Sequence, residues 1–270
     1  MGRVSIDTSP LVPGRSPVSI RYREWGDASS RPLVLLHGGW GHSLYPFDLQ
    51  VETLCDRYHL YAPDRSGYGG SGQIASLSTN FHRQAATETF AVLDALGLSN
   101  VALWGHSDGA VIAAWMAIER PQRIDRLVLE AFHFDPRKPG SRDFFASLAA
   151  GSTTVDGRVA GLLAAEHGDP YWRTLVQLHA QAWLGIADER PQADADLYDG
   201  RLGDISAPVL LLHGRQDPRT EPGEIDDVRH ALPAAHVAIL ESGAHSPHSE
   251  RSVAHEATRL AAAFLDRPAG

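Results

Sequence analysis

Residues 101–110 read VALWGHSDGA, and this stretch decides the fold class. The run VALW predicts a short buried strand, and residues 109–119 predict a helix that begins directly after it. Between them stands Gly105-x-Ser107-x-Gly109, so the chain must turn tightly and hold the serine in a strained backbone that projects its hydroxyl. Side chains at positions 105 and 109 would clash in such a turn, which explains why both positions are occupied by glycine. The stretch therefore predicts a serine nucleophile at Ser107.

Short apolar runs and helical patterns alternate along the rest of the chain. Residues 18–25 alternate in polarity and predict an early antiparallel strand, whereas the later runs are continuously apolar, as in strands buried on both faces of a parallel sheet. These later runs lie at 33–36, 59–62, 126–129, 209–212 and 237–240. Further helices are predicted at 81–96, 222–231 and 250–264. The alternation predicts an α/β fold with a doubly wound, mostly parallel sheet.

Residues 132–204 interrupt this rhythm. They contain no clear strand and too many aromatic side chains for a disordered linker. These aromatic residues are Phe132, Phe134, Phe144, Phe145, Tyr171, Trp172 and Trp183. We expect a mainly helical insertion at 132–204, set into a core formed by residues 1–131 and 205–270.

Composition excludes several classes of partner. The chain has 270 residues and a formal net charge of −9, and an acidic surface repels phosphate backbones, which argues against nucleic acid. The single cysteine, Cys55, excludes an internal disulfide and fits a reducing compartment. Neither a signal peptide nor an apolar run of about 20 residues is evident. We therefore expect a cytoplasmic protein with no membrane partner.

Four loops extend the pattern around Ser107. They read HGGW at 37–40, DRSGYGGS at 64–71, HGRQDP at 213–218 and GAH at 243–245. With the Gly-x-Ser-x-Gly turn, they make residues 18–265 resemble the α/β-hydrolase superfamily. That resemblance implies an eight-stranded sheet, a helical cap at 132–204 and hydrolysis of a small-molecule substrate.

Two details refine the resemblance. Ser66 stands where the family's pattern usually has arginine, and this departure removes one expected structural hydrogen-bond donor. The Gly-x-Ser-Asp-Gly turn, residues 167–172 and Trp183 are most similar to the biphenyl-hydrolase-like branch of carboxylesterases, which hydrolyses α-amino acid esters.

The resemblance also supplies partners for Ser107. Asp217 and His245 lie in the acid loop and the histidine loop, in the chain order that this fold requires. The histidine would take the proton of the serine, and the carboxylate would fix its tautomer and stabilise the imidazolium. A triad of Ser107, Asp217 and His245 is therefore expected.

Two of these assignments have rivals. His248 lies three residues beyond His245, although the Gly-x-His position favours His245 as the base. Glu130 and Asp135 follow a predicted strand after which some members of this fold carry the acid, whereas the loop sequence favours Asp217.

The same loops predict the oxyanion hole and part of the pocket. The backbone amides of Gly39 and Asp108 are expected to form the oxyanion hole. Trp40, together with Phe132, Trp172 and Trp183, is expected to contact an apolar or aromatic part of the substrate. A packing role is the alternative for the two tryptophans of the insertion.

The side chain of Asp108 has two interpretations. An acidic residue in the first turn of a helix is favourable for dipole reasons alone. If the carboxylate instead faces the pocket, it would select a cationic group such as an amine beside the scissile carbonyl.

No cofactor or metal ion is expected. GYGGSG at 67–72 spells a dinucleotide-binding pattern, but Pro63 and Asp64 separate it from the strand before it and no helical pattern follows. His245 and His248 lack the additional ligand spacing of a zinc site.

The sequence favours a serine carboxylesterase or a related acyl hydrolase. The same triad also serves carbon–carbon bond hydrolysis, lactone opening, thioester cleavage and perhydrolysis, and no motif separates these reactions. A non-catalytic ligand receptor built on the same fold is the alternative from another class. The oligomeric state is not predicted.

Overall fold

A single sheet of eight strands organises the molecule, for which the computed structural model describes residues 1–152 and 155–268. The strands are β1 Gly2–Ile6, β2 Val18–Trp25, β3 Arg31–Leu36, β4 Tyr58–Pro63, β5 Val101–His106, β6 Ile124–Glu130, β7 Val209–Gly214 and β8 His236–Leu240. Their order across the sheet is β1-β2-β4-β3-β5-β6-β7-β8. Only the β1–β2 and β2–β4 pairs are antiparallel. The predicted α/β fold with a mostly parallel, eight-stranded sheet is confirmed.

Helices cover both faces of this sheet. In the described part of the chain the α-helices are α1 Asp48–Leu54, α2 Phe81–Ala95, α3 Asp108–Glu119, α4 Arg142–Ala149, α5 Gly157–His167, α6 Tyr171–Glu189, α7 Glu224–Ala231 and α8 Ala254–Leu265. None of these helices is long and apolar enough to cross a membrane.

Alternate residues of the central strands pack into two separate hydrophobic clusters, one on each face of the sheet. In β5, Leu103 packs with α2 and α3 on one face, while Trp104 packs with α1 and α8 on the other. All six residues of β5 are buried. The continuous apolar runs of the sequence therefore reflect burial on both faces, as in other parallel sheets.

Three features differ from the sequence-based expectations. β1 was not predicted, because it is an edge strand whose outward residues are exposed and polar. α1 was not predicted either, because its seven residues give too short a helical pattern. α8 begins at Ala254 rather than at residue 250, because the Glu250 carboxylate accepts the backbone amides of Ala244 and Ser246 and belongs to the preceding loop.

The insertion lies between β6 and β7, at the carboxyl edge of the sheet. It contains α4, α5 and α6, and no strand occurs among its described residues between 132 and 204. α6 is its longest helix and buries His179 and Trp183. A separate cap with boundaries at 132 and 204 stays a prediction.

Candidate active site

The turn between β5 and α3 holds Ser107 in a backbone conformation that serine rarely adopts, with φ 55° and ψ −121°. The two flanking glycines permit the turn. A Cβ at Gly105 would lie 2.2 Å from the carbonyl oxygen of Gly109, and a Cβ at Gly109 would lie 2.0 Å from that of Leu36. Strain of this kind persists only where the surrounding structure enforces it, and it is common at functional sites.

A chain of hydrogen bonds links Ser107 to two later loops. The Oγ of Ser107 lies 3.1 Å from Nε2 of His245. Nδ1 of the same ring lies 3.0 Å from each carboxylate oxygen of Asp217. Asp217 follows β7 and His245 follows β8, so parallel neighbouring strands deliver both side chains to the edge where β5 ends. The structure therefore brings together the three residues that the sequence predicts as a triad.

Asp217 is held in its charged form. Burial raises the pKa of this carboxyl, but the hydrogen bond and the charge of His245 outweigh burial, and the pKa lies well below its ordinary value. The amide of Arg219 donates a further hydrogen bond of 2.8 Å to Oδ1. A charged carboxylate at this position can orient the imidazole and stabilise its protonated form.

The alternative acids, Glu130 and Asp135, and the alternative base, His248, form hydrogen bonds elsewhere. Glu130 is fully buried and accepts hydrogen bonds from Trp104 at 2.7 Å and from the backbone and ring of His248 at 2.9 and 2.8 Å. Asp135 pairs with Arg137 at 2.7 Å. None of these hydrogen bonds involves Ser107.

His106, Glu130 and His248 form a cluster that resembles a metal site, because their ligand atoms all lie within 4.8 Å of one another. Their hydrogen bonds oppose that role. Glu130 is bonded to Nδ1 of His248, while Nε2 of His248 lies 3.1 Å from the Tyr45 carbonyl oxygen. Nε2 of His106 lies 2.9 Å from the carbonyl oxygen of His245. The cluster therefore supports the loop that carries His245.

Two residues of the cavity wall near Ser107 have backbone amides without an acceptor in the described part of the chain. These residues are Gly39 and Asp108. Arg65 fixes the Gly39 loop by donating to the carbonyl oxygens of His37 at 2.8 Å and Gly38 at 3.0 Å. These features suit the predicted oxyanion hole.

The departure at Ser66 has a local explanation. Its hydroxyl and its amide both donate to the buried carboxylate of Glu88, at 2.5 and 2.8 Å. The neighbouring Arg65 supplies the guanidinium that fixes the Gly39 loop. Ser66 is therefore itself a structural hydrogen-bond donor, whereas the sequence predicted that a donor is lost at this position.

The carboxylate of Asp108 is occupied by donors of the protein. Oδ1 accepts from His82 at 2.9 Å and from Trp183 at 3.2 Å, and Oδ2 lies 2.5 Å from Nε2 of His179. Burial raises the pKa of this carboxyl, but the charge and hydrogen bonds of the two histidines hold the pKa well below its ordinary value. Because the carboxylate already has these partners, the geometry does not support the interpretation that it selects an amine of the substrate.

A second histidine contacts the serine and was missed in the sequence. Nε2 of His133 lies 3.3 Å from Oγ of Ser107, and its ring stacks on that of His245. Burial and the charge of Lys138 hold the pKa of His133 well below its ordinary value, so the ring is neutral. His133 follows β6, where the sequence offers Glu130 and Asp135 as rival acids, and a histidine at this position belongs to no recognisable motif.

Ser107 lines a cavity of about 320 Å³. Trp40 and Trp183 line it, as predicted for substrate-contacting residues. Phe132 and Trp172 do not. Phe132 is instead buried and stacked on Tyr198, with ring centroids 5.3 Å apart. Trp172 packs in a separate cluster of the insertion.

Comparison with known proteins identifies the class. A family model for the alpha/beta hydrolase fold matches residues 31–252. Because this match spans most of the sequence, the chain belongs to the α/β-hydrolase family.

Two curated relatives that match most of the chain are hydrolases. The chain is 31% identical to the pimeloyl-[acyl-carrier protein] methyl ester esterase of Nitrosomonas europaea, over 80% of this chain and 88% of that protein. It is 23% identical to 3-oxoadipate enol-lactonase 2 of Acinetobacter baylyi, over 87% and 93% of the two chains. A thermophilic esterase from Thermogutta terrifontis shares the fold, with a TM-score of 0.74 at 21% identity over 98% of each chain. The family and the two named relatives support hydrolase activity.

Proposed function

We propose that this protein is a serine hydrolase that cleaves an ester-type bond of a small molecule through an acyl-enzyme. One observation carries the proposal: the hydrogen bonds from Ser107 to His245 and from His245 to Asp217, at the wall of a cavity. Ser107 is the nucleophile, His245 the general base, and Asp217 the group that orients the base.

Acylation follows from this arrangement. Nε2 of His245 takes the hydroxyl proton while Oγ of Ser107 attacks the carbonyl carbon, and the resulting negative oxygen is held by the amides of Gly39 and Asp108. The imidazolium, stabilised by Asp217, then gives its proton to the leaving alcohol. The products of this half-reaction are the free alcohol and an ester on Ser107.

Deacylation repeats these roles with water. His245 removes a proton from the water that attacks the acyl carbonyl, and returns it to Oγ of Ser107 as the acid leaves. His133 has a different part, because its Nδ1 has no hydrogen-bond partner among the described residues, whereas Nδ1 of His245 is bonded to Asp217. Nε2 of His133 is suited to hold Ser107 in place between two rings.

The insertion at 132–204 is part of the proposal, as a cap over the reacting serine. Phe144, Phe145 and Trp183 contribute aromatic walls to the cavity. Apolar walls exclude water and bury the uncharged part of a substrate. We also place the protein in the cytoplasm, which rests on the single cysteine Cys55 alone.

Labelling with a fluorophosphonate tests the proposal, because this reagent reacts with activated serines. We expect one adduct on the peptide that contains Ser107, and none in a Ser107→Ala variant of unchanged circular dichroism. An unlabelled wild-type protein would indicate the non-catalytic receptor. Turnover of a panel of carboxylic, lactone and thio esters then identifies the bond that is cleaved.

A further inference from the structure

Arg219 brings an unpaired positive charge to the cavity. It lies two residues after Asp217, lines the same cavity as Ser107 and is half-buried. Its guanidinium makes no ion pair and no hydrogen bond with any residue that the structure describes. Burial lowers the pKa of Arg219 from its ordinary value, yet a guanidinium remains charged at every relevant pH. A half-buried charge of this kind is costly without a partner.

The other charged side chains of the cavity wall have partners within the protein. Lys138 is bonded to both oxygens of Glu224, at 2.6 and 2.7 Å. Asp108 is bonded to histidines of α2 and α6, and Asp156 caps the amino end of α5, with Oδ1 2.9 Å from the amide of Arg158. Among the charged side chains of this wall that the structure describes, Arg219 is thus left without an ion pair. The carboxylate of Asp217 acts on its charge but is itself bonded to His245.

The surroundings of Arg219 keep its donors available. Its guanidinium carbon lies 3.5 Å from the centre of the Phe144 ring, so the aromatic face covers one side of the charged plane. Stacking of this type uses the face of the guanidinium and leaves the N–H groups at its edge free to bond in the plane. A planar group with two oxygens matches that edge.

Ser141 adds a second polar group. It precedes α4, three residues before Phe144, and lines the same cavity. Its side chain does not cap the helix, and its buried Oγ has no hydrogen-bond partner among the described residues. Buried hydroxyls usually have a hydrogen-bond partner, so this one is suited to bond a polar group of a substrate.

We propose that the cavity takes esters that carry a second, free carboxylate, which Arg219 binds at its edge and Ser141 supports with a hydrogen bond. This inference rests on the proposed function, because it names the substrate class of the same site. One unpaired positive charge matches a carboxylate, whereas a phosphate group would bring nearly two negative charges. The aromatic side chains that line the same cavity suit a hydrocarbon spacer between the ester and the free carboxylate.

Two matched substrates test the proposal. One is the 4-nitrophenyl monoester of glutaric acid, and the other is its methyl ester, which is neutral and nearly the same size. We expect wild-type kcat/KM to favour the acid by about 10- to 100-fold, as for a hydrogen bond to a charged partner. Arg219→Gln should remove most of this preference, and Arg219→Lys should keep part of it.

Arg215→Gln is the matched control. Arg215 has the same charge four residues away, but it is exposed and paired with Glu241. We expect it to keep the full preference. Equal kcat/KM values for the two esters in the wild type, or an unchanged preference in Arg219→Gln, would overturn the proposal.

A binding measurement separates this inference from the proposed function. Trp40 and Trp183 line the cavity, so their fluorescence can report binding of 5-oxohexanoate against 5-oxohexanamide, which carry no ester bond for the protein to cleave. Tighter binding of the anion in the wild type, lost in Arg219→Gln, supports the inference even if neither nitrophenyl ester is hydrolysed. Equal binding of both compounds contradicts it, whatever the turnover.

Discussion

Two carboxylate–histidine pairs lie side by side at the carboxyl edge of the sheet. In one, Asp217 holds His245 at 3.0 Å, and in the other Glu130 holds His248 at 2.8 Å. Both carboxylates are buried, and both have a pKa below the ordinary value because the histidine outweighs the effect of burial. By distance and charge alone, either pair would serve as an acid and base.

The second nitrogen of each ring separates the two pairs. Nε2 of His245 lies 3.1 Å from the hydroxyl of Ser107, and its side chain is 19% exposed. Nε2 of His248 lies 3.1 Å from the carbonyl oxygen of Tyr45, and its side chain is fully buried and stacked on Phe47. A histidine can act as a base only if one nitrogen reaches a proton that must move, so the first pair has the geometry for chemistry and the second for support.

Replacing each histidine should produce the largest contrast. We expect His245→Ala to lower kcat on a 4-nitrophenyl ester by about 10⁶-fold, because a nucleophile without its base is nearly inert. His248→Asn should cost less than about tenfold, because it removes no group that touches Ser107. Steady-state kinetics on both variants check this, and a dead His248→Asn beside an active His245→Ala would reverse the assignment.

Replacing each carboxylate should give the next largest difference. Asp217→Asn should lower kcat by about 10⁴-fold, because an amide favours the wrong tautomer of His245. Glu130→Gln should stay within about tenfold of the wild type, since its partner does not contact the serine. The comparison is made at pH 7.5 on the same ester. Loss of activity in Glu130→Gln alone would place the acid after β6.

The second pair should matter for stability instead. Glu130→Gln should lower the free energy of unfolding by about 3–5 kcal/mol at pH 7, as for a broken buried pair. Because the folded-state pKa of Glu130 is below its ordinary value, its contribution is present above the unfolded pKa of about 4.3 and fades as the pH falls through the folded value. Urea unfolding of both proteins between pH 7 and pH 3 measures the difference.

That stability difference should shrink as the pH falls below about 4. Glu241→Gln is the control, since Glu241 lies in an exposed pair with Arg215 and should change stability little at any pH. A difference for Glu130→Gln that stays constant down to pH 3 would show that the charge of Glu130 does not stabilise the fold.

Asp108 provides a third carboxylate–histidine contact and the smallest expected effect. An accessible carboxylate would favour an α-ammonium ester over a matched neutral ester by at least about tenfold. Because this carboxylate is already bonded to His82, His179 and Trp183, we expect a smaller preference in the wild type. Asp108→Asn should leave the ratio of kcat/KM for the two esters unchanged. A clear preference that disappears in Asp108→Asn would restore the amine interpretation.

The sequence was informative for the three residues of the predicted triad. Ser107, Asp217 and His245 each stand just beyond the end of a parallel strand, and such strands present their carboxyl ends at one edge. Their convergence could therefore be predicted without coordinates. The choice between His245 and His248 could be expected only from the loop pattern, since both follow β8.

Residues whose role depends on the insertion could not be placed in this way. His133 and Arg219 carry no motif, and the cavity that they line is completed by side chains of α4 and α6. Trp172 and Trp183 lie on the same side of α6, but eleven residues of helix separate them by roughly 16 Å along its axis, so only Trp183 reaches the cavity. The aromatic composition of the insertion does not indicate which of its side chains reach the cavity.

Trapping the covalent intermediate tests the central claim most directly. The wild-type protein is mixed with a 4-nitrophenyl ester, quenched in acid within the first turnovers, digested and analysed by mass spectrometry. We predict an acyl group on the hydroxyl of Ser107, absent from Ser107→Ala. The account would be contradicted if Ser107→Ala released nitrophenol as fast as the wild type, or if the acyl group were found on any other residue.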